Sequence, residues 1–222
     1  MKFLRNLFVK EHQPSFTPLQ PRYFNQNLLY PIGSIENRPQ AHASTIIEGK
    51  KGSGRKESGR KELGQKKPGQ NVQRLYCAWF CGSREGNLDV AIMFSEITYV
   101  PNPDPKKIHF SYSAPRVIAD DPKRACGNPV LFLDDSDVLH LWYAAFYARN
   151  DPMGRKPRRK IFYTTSKDFG KAWTEPEIFS HRDGLWVRNP LLVLDDGTWI
   201  LPMNDETTEL PELNTRWSSR FA

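Results

Sequence analysis

Two segments of the chain repeat each other. Asn128-Pro129-Val130-Leu131-Phe132-Leu133-Asp134-Asp135 is matched by Asn189-Pro190-Leu191-Leu192-Val193-Leu194-Asp195-Asp196, 61 residues on (189 against 128). At the same offset Val138-Leu139-His140-Leu141 meets Trp199-Ile200-Leu201-Pro202, and Tyr112-Ser113-Ala114-Pro115 meets Trp173-Thr174-Glu175-Pro176. A repeat of this period belongs to architectures built by stacking one supersecondary unit. Inside each unit, apolar alternating runs are bounded by Asp, Gly and Pro, the signature of short antiparallel strands. The order is strand, Asp-Asp turn, strand, loop, strand, tight turn, strand. Four antiparallel strands in about 50–60 residues make one blade of a β-propeller. The expected fold is therefore all-β, with four-stranded antiparallel blades.

The tight turn is Ser166-Lys167-Asp168-Phe169-Gly170-Lys171-Ala172-Trp173. Ser166 and Asp168 carry short acceptors that can bond backbone N–H groups within the turn. Gly170 supplies a positive φ. Trp173 is large enough to cover the hairpin. Asp168 is thereby expected to serve its own turn and to have no catalytic part.

The units run as follows. Residues 1–36 have no clear period and read as a leader or outer strand. Blade 1 covers 37–118 and is interrupted by an insert at 49–72, in which Ser53-Gly54-Arg55-Lys56-Glu57 is repeated at once as Ser58-Gly59-Arg60-Lys61-Glu62. Its own tight turn is degraded, with Ser95 as candidate leading serine and Tyr112 in the place of Trp173. Blade 2 covers 127–178. Blade 3 runs over 188–222 and holds a third strand near Arg216–Ala222. About three blades leave open edges, whereas propellers have four to eight. The chain is accordingly read as the N-terminal half of a longer protein or as an incomplete gene product.

The charge of +7 is concentrated: the insert holds eight basic and two acidic residues, which leaves the remainder near +1. Proteins that bind nucleic acid spread Lys and Arg over a face of the fold, so the charge run reads as a solvated loop and nucleic acid is not expected as a partner. No apolar run approaches a membrane span, and Arg5 and Asn6 interrupt the N-terminal apolar stretch that a signal peptide would need. The three cysteines, Cys77, Cys81 and Cys126, are odd in number and read as buried thiols. No zinc-type spacing is present, and neither metal nor cofactor is expected.

Several motifs now combine: Gln40-Ala41-His42-Ala43-Ser44-Thr45, Ala78-Trp79-Phe80-Cys81-Gly82-Ser83-Arg84-Glu85-Gly86-Asn87-Leu88-Asp89-Val90, Gly127-Asn128-Pro129-Val130, Val187-Arg188-Asn189-Pro190, and the S-x-D-x-G-x-x-W turn of Ser166, Asp168, Gly170 and Trp173. Together they resemble the BNR-repeat (Asp-box) sialidase-like family over about residues 36–222. The resemblance implies a six-bladed propeller with its site at one end of the central axis. It implies arginines that grip a sugar carboxylate, because a guanidinium fork matches a carboxylate, a carboxylic acid that protonates the leaving oxygen, and a Tyr–Glu nucleophile. By motif position Arg84 and Arg188 are the carboxylate binders, Asn128 and Asn189 further substrate contacts, and Glu85 or Asp89 the acid/base. His42 stands where such enzymes open with Arg-Ile-Pro, and is a candidate base or sugar contact. No Tyr–Glu pair can be assigned. The expected partners are sialylated or other acidic glycans. A different sugar-active propeller (an exo-glycosidase or polysaccharide lyase) and a non-catalytic glycan- or protein-binding propeller are the alternatives.

Overall fold

The computed structural model describes residues 38–49, 71–154, 159–205 and 218–221. The leader at 1–36 and nearly all of the basic insert lie outside the described residues.

Among the described residues four antiparallel sheets form three successive blades. Blade 1 comprises β1 (Gln40–Glu48), β2 (Gln73–Gly82), β3 (Ala91–Tyr99), β4 (Phe110–Tyr112) and β5 (Arg116–Ala119); β4 and β5 both pair with β3, so the outer strand is split. Blade 2 is β6 (Arg124–Leu133), β7 (Leu139–Tyr147), β8 (Arg159–Ser166) and β9 (Glu177–Ser180) in that spatial order. Blade 3 is built from β10 (Leu185–Val187), β11 (Leu192–Val193), β12 (Trp199–Ile200), β13 (Pro202–Asp205) and β14 (Ser218–Phe221), with its inner strand broken between β10 and β11. β14 pairs with β13 as the third strand of this blade. The fold is a β-propeller of antiparallel blades, of which about three are present among the described residues.

The alternation of side chains along a strand decides how the blades stack. On β7, Leu139, Leu141, Tyr143 and Ala145 point one way and join Tyr76, Ala78, Phe80, Ile92 and Phe94 of blade 1 in one core. Trp142 and Ala144 point the other way and meet Leu185, Val187, Leu201 and Met203 of blade 3 in a second. Each fully buried large side chain of this kind contributes about 1.5–3 kcal/mol. Cys77, Trp79 and Cys81 alternate onto the remaining face of blade 1. All three cysteines are free and buried. Burial pushes the Cys77 thiol up to about 11 and that of Cys126 to about 12.

The hairpins correct the repeat register. Phe132 pairs with His140 and Leu192 with Ile200, 60 residues apart (192 against 132). The turn residues with positive φ, Asp137 and Gly197, have the same separation. Asp134 therefore corresponds to Leu194, and the letter-for-letter match of the two Asp-Asp pairs is off by one. The distinction has consequences. Asp134 Oδ1 accepts the N–H groups of Ser136 and Val138 at 2.8 Å each. Its Oδ2 lies 3.1 Å from His140 Nε2, while His140 Nδ1 lies 2.7 Å from the Tyr163 hydroxyl. This network ties the β6–β7 turn to β8 and has no counterpart around Leu194 among the described residues.

The Ser166–Trp173 turn closes as its residues require. Ser166 Oγ donates to Asp168 Oδ1 (2.8 Å) and accepts from Gly170 N–H (2.8 Å), and Asp168 Oδ1 also accepts from Ala172 N–H (2.9 Å). Trp173 does more than cover its own hairpin: its ring meets Phe94 of blade 1 edge-on, with centroids 5.7 Å apart. Phe169 stacks on Tyr76, and Arg116 of blade 1 lies over Phe94 while donating to the Gly170 carbonyl. The turn is thus a clasp between blades.

Blade 1 lacks the serine of this turn. Ser95 Oγ donates to Ser113 O, and Ser113 Oγ accepts from Glu96 N–H. In blade 2 the same two bonds are made by Thr164 to Thr174 O and by Thr165 N–H to Thr174 Oγ1. Ser95 is thus the counterpart of Thr164, and Ile97, paired with Tyr112, stands where Ser166 does.

Burial alone would raise the pKa of the Asp168 carboxyl. Hydrogen bonds from Ala172, Ser166 and Lys171 outweigh it and leave the group below the usual carboxylate range. A depressed carboxylate contributes stability that is present above its unfolded pKa and lost as the pH falls through the folded one. Denaturant titrations from pH 7 down to pH 3 are expected to show this loss at the acid end, and Asp168→Asn is expected to reduce the slope there. An unchanged slope would remove Asp168 from the account.

Candidate active site

Antiparallel connectivity sorts the loops to two ends. One end carries the β6–β7 hairpin turn and the Ser166–Trp173 turn. The other carries the start of β1, the β2–β3 loop Ser83–Val90, the β5–β6 connection and the segment after β7. The inner strands β1, β6 and β10 succeed one another around the axis.

The β2–β3 loop is tightly braced. Asp89 accepts the Ser83 N–H through Oδ2 (2.7 Å) and the Ser83 hydroxyl through Oδ1 (2.9 Å). Asn87 Nδ2 donates to Ser83 Oγ, Asn87 N–H to Arg84 O, and Val90 N–H to Asn87 O. Gln40, at the start of β1, accepts the Glu85 N–H at 2.9 Å. From this frame the Arg84 and Glu85 side chains project exposed, next to one another in sequence. Arg38 lies beside the loop, where it donates to Cys81 O (3.3 Å) and pairs with Asp120 (3.4 Å).

The inner strands carry matching irregularities. In β1 the pairing jumps from His42–Phe80 to Thr45–Ala78, and in β6 from Gly127–Ala144 to Val130–Trp142. The bulge residues Ala43 (φ 48°) and Asn128 (φ 50°) take the left-handed conformation. Bulges bend a strand and re-aim its side chains. His42 is exposed and stacks on Phe80, with centroids 5.4 Å apart. In blade 3 pairing lapses between Val187–Met203 and Leu192–Ile200, and Arg188 and Asn189 stand exposed in the gap.

A sequence model of the BNR repeat-like domain matches residues 73–221. The chain belongs to the BNR repeat-like domain family. Among solved structures it is similar to a protein of unknown function from Dyadobacter fermentans, with 14% identity and a TM-score of 0.55 over 84% of this chain and 51% of that one. It also matches a Hadza microbial sialidase (13% identity, TM-score 0.48, 67% of this chain and 32% of that one). A third match is an exo-1,5-alpha-L-arabinanase from a bovine ruminal metagenomic library (12% identity, TM-score 0.31, 69% of this chain and 75% of that one). The chain thus spans about half the length of the Dyadobacter protein and a third of that of the sialidase. No curated protein matches.

Within this BNR-type propeller the candidates fall into two groups. Arg84, Glu85 and Asp89 share the β2–β3 loop, and Gln40 joins that loop to the strand bearing His42. His42 and Asn128 lie on neighbouring inner strands. Arg188 and Asn189 stand apart on blade 3, and no hydrogen bond or ion pair connects them to the others among the described residues. Sequence reasoning missed Gln40 as a loop anchor, although it lies within the Gln40–Thr45 motif, and missed Asn150 and Arg149, which bond Leu88 and Gly86 of the loop from the next blade and which nothing local marks. No group of three His, Cys, Asp or Glu suited to a metal occurs among the described residues, nor is any described helix long and apolar enough to cross a membrane.

Proposed function

We propose that the whole protein is a sialidase-type glycoside hydrolase that removes a terminal acidic sugar from glycoconjugates. The observation that carries this reading is the Arg84–Glu85 pair, a guanidinium and a carboxyl that are both exposed and consecutive in sequence on a braced loop at one end of the inner strands. In this reading Arg84 receives the sugar carboxylate, with Arg188 as a second binder, and Glu85 protonates the leaving oxygen. Asp89 has both oxygens engaged by Ser83, which favours Glu85 over it as the acid. His42, with Asn128 and Asn189, lines the approach along the axis. The hydrogen bonding of Ser166, Asp168, Gly170 and Trp173 supports reading that turn as an Asp-box.

A second reading, an exo-glycosidase acting on a neutral sugar, is favoured by His42 stacked on Phe80. Phe80 is buried beneath the exposed His42, so the imidazole alone offers a flat face in place of a leading arginine. A panel of fluorogenic glycosides separates the two. Release from a sialoside and none from neutral arabinosides or hexosides is the expected result. Turnover of a neutral glycoside alone establishes the second reading. Binding of glycans with no turnover at all leaves a lectin-like propeller.

A further inference from the structure

The β2–β3 loop is held from outside its own blade. Leu88 N–H donates to Asn150 Oδ1 at 2.9 Å, across 62 residues of sequence. Arg149 N–H donates to Gly86 O at 2.8 Å. The Arg149 side chain lies over Gly86 so closely that a Cβ there would come within 3.0–3.2 Å of its Nε, Cδ and Cγ. Gly86 also has φ +82°, a conformation that side chains resist. The far end of the loop is tied to blade 2 as well, by Cys126 N–H to Val90 O at 2.9 Å. The loop bearing Arg84 and Glu85 is therefore seated on blade 2 at Gly86, Leu88 and Val90, and on β1 at Glu85.

We propose that Asn150, carried by the second blade, is a positioning residue for the Arg84–Glu85 pair on the first. The proposal rests on the reading of that pair as the working groups. Both side chains are exposed, so packing does not fix them, and their placement is only as good as that of the backbone beneath. Functional groups need supporting contacts to hold productive geometry, and a misplacement of about 1 Å can cost about 100-fold in rate. Asn150 supplies such a contact through one carbonyl oxygen. The Arg149 stem lies over Gly86, where a Cβ would force it to give by a few tenths of an ångström, and the bond from Arg149 N–H to the Gly86 carbonyl keeps the two loops in register. Blade-to-blade stacking is thereby converted into site geometry, and the site is not the property of a single blade.

The test compares the whole wild-type protein with Asn150→Ala and Asn150→Asp by amide hydrogen exchange and by glycoside turnover. Asp keeps an oxygen that can accept the Leu88 N–H, and Ala does not. In Asn150→Ala, exchange is expected to rise about tenfold within 83–90 and nowhere else, with the thermal midpoint unchanged. Its kcat/KM is expected to fall about 10–100-fold, through a raised KM and a lowered kcat together. Asn150→Asp is expected to restore both readouts to near wild type. Unchanged exchange in Asn150→Ala overturns the anchoring of the loop by Asn150. Faster exchange with unaltered turnover, or no rescue by Asp, overturns the positioning role. If wild type turns over no glycoside, the glycosidase reading and the positioning role fall together, while the exchange result still decides whether Asn150 holds the loop.

Discussion

Glu85→Gln is expected to lower turnover of a glycoside with a poor leaving group by about 100- to 10,000-fold, the range that positioned general acids contribute. The same substitution should cost much less on an aryl glycoside whose phenol departs without help. This dependence on the leaving group is what distinguishes proton donation from any other role. Gln keeps the size and the hydrogen-bonding reach of Glu but cannot deliver the proton, so KM should change little. Asp89→Asn is predicted to behave differently. Asp89 receives the Ser83 N–H and hydroxyl on its two oxygens, and an amide would turn one donor group toward a donor. Its damage should spread over KM and loop order, with no dependence on the leaving group. If the two patterns are exchanged, with the leaving-group effect appearing in Asp89→Asn, the assignment of roles is wrong. If neither substitution matters, the acid lies on another part of the protein.

The blades were legible because a strand's alternation and its turn residues are local. Leu139, Leu141 and Tyr143 announce one face of β7, and His140 and Trp142 the other, without reference to anything distant. Register was less legible, and for a specific reason. The two Asp-Asp pairs match as letters, but hairpin geometry is set by which residue takes the left-handed turn position, Asp137 in one blade and Gly197 in the other. A match by identity therefore slipped by one residue, and it hid the loss of the Asp134–His140 contact in blade 3. Ser95 misled in the same way: it is a serine near the expected place, yet its hydrogen bond to the Ser113 carbonyl is the one Thr164 makes. At the candidate site, Arg84, Glu85 and Asp89 could be picked out as a charged loop after an apolar strand. What each does could not, because Asp89's commitment to Ser83 depends on how six residues fold back. The bond from Leu88 to Asn150 joins two loops of consecutive blades, and no period within either blade encodes it.

The contact between blades also predicts the largest structural effect. Gly170→Ala is expected to destabilise the protein by about 2–5 kcal/mol, out of the roughly 5–15 kcal/mol that holds a domain together. Two costs add. The φ of Gly170 is +82°, and a residue with a Cβ in the left-handed region gives up about 1–2 kcal/mol. The new methyl would also lie 2.5 Å from Phe94 Cζ and 2.7 Å from its Cε1. Phe94 is fully buried, held between Tyr76, Trp173 and the Arg116 guanidinium, so the ring has little room to retreat, and overpacking of this kind costs about 1–3 kcal/mol. Gly197→Ala separates the two terms. Its φ is nearly the same at +84°, and nothing lies within 4 Å of where the Cβ would be, so it should show the backbone cost alone. The difference between the two variants in denaturant unfolding measures how firmly the Ser166–Trp173 turn is seated on blade 1. Trimming the ring with Phe94→Leu in the Gly170→Ala background should recover part of that difference, since residues in contact are energetically coupled. Equal losses for Gly170→Ala and Gly197→Ala, with no recovery from Phe94→Leu, would show that the turn does not bear on its neighbour, and the clasp between blades would have to be abandoned.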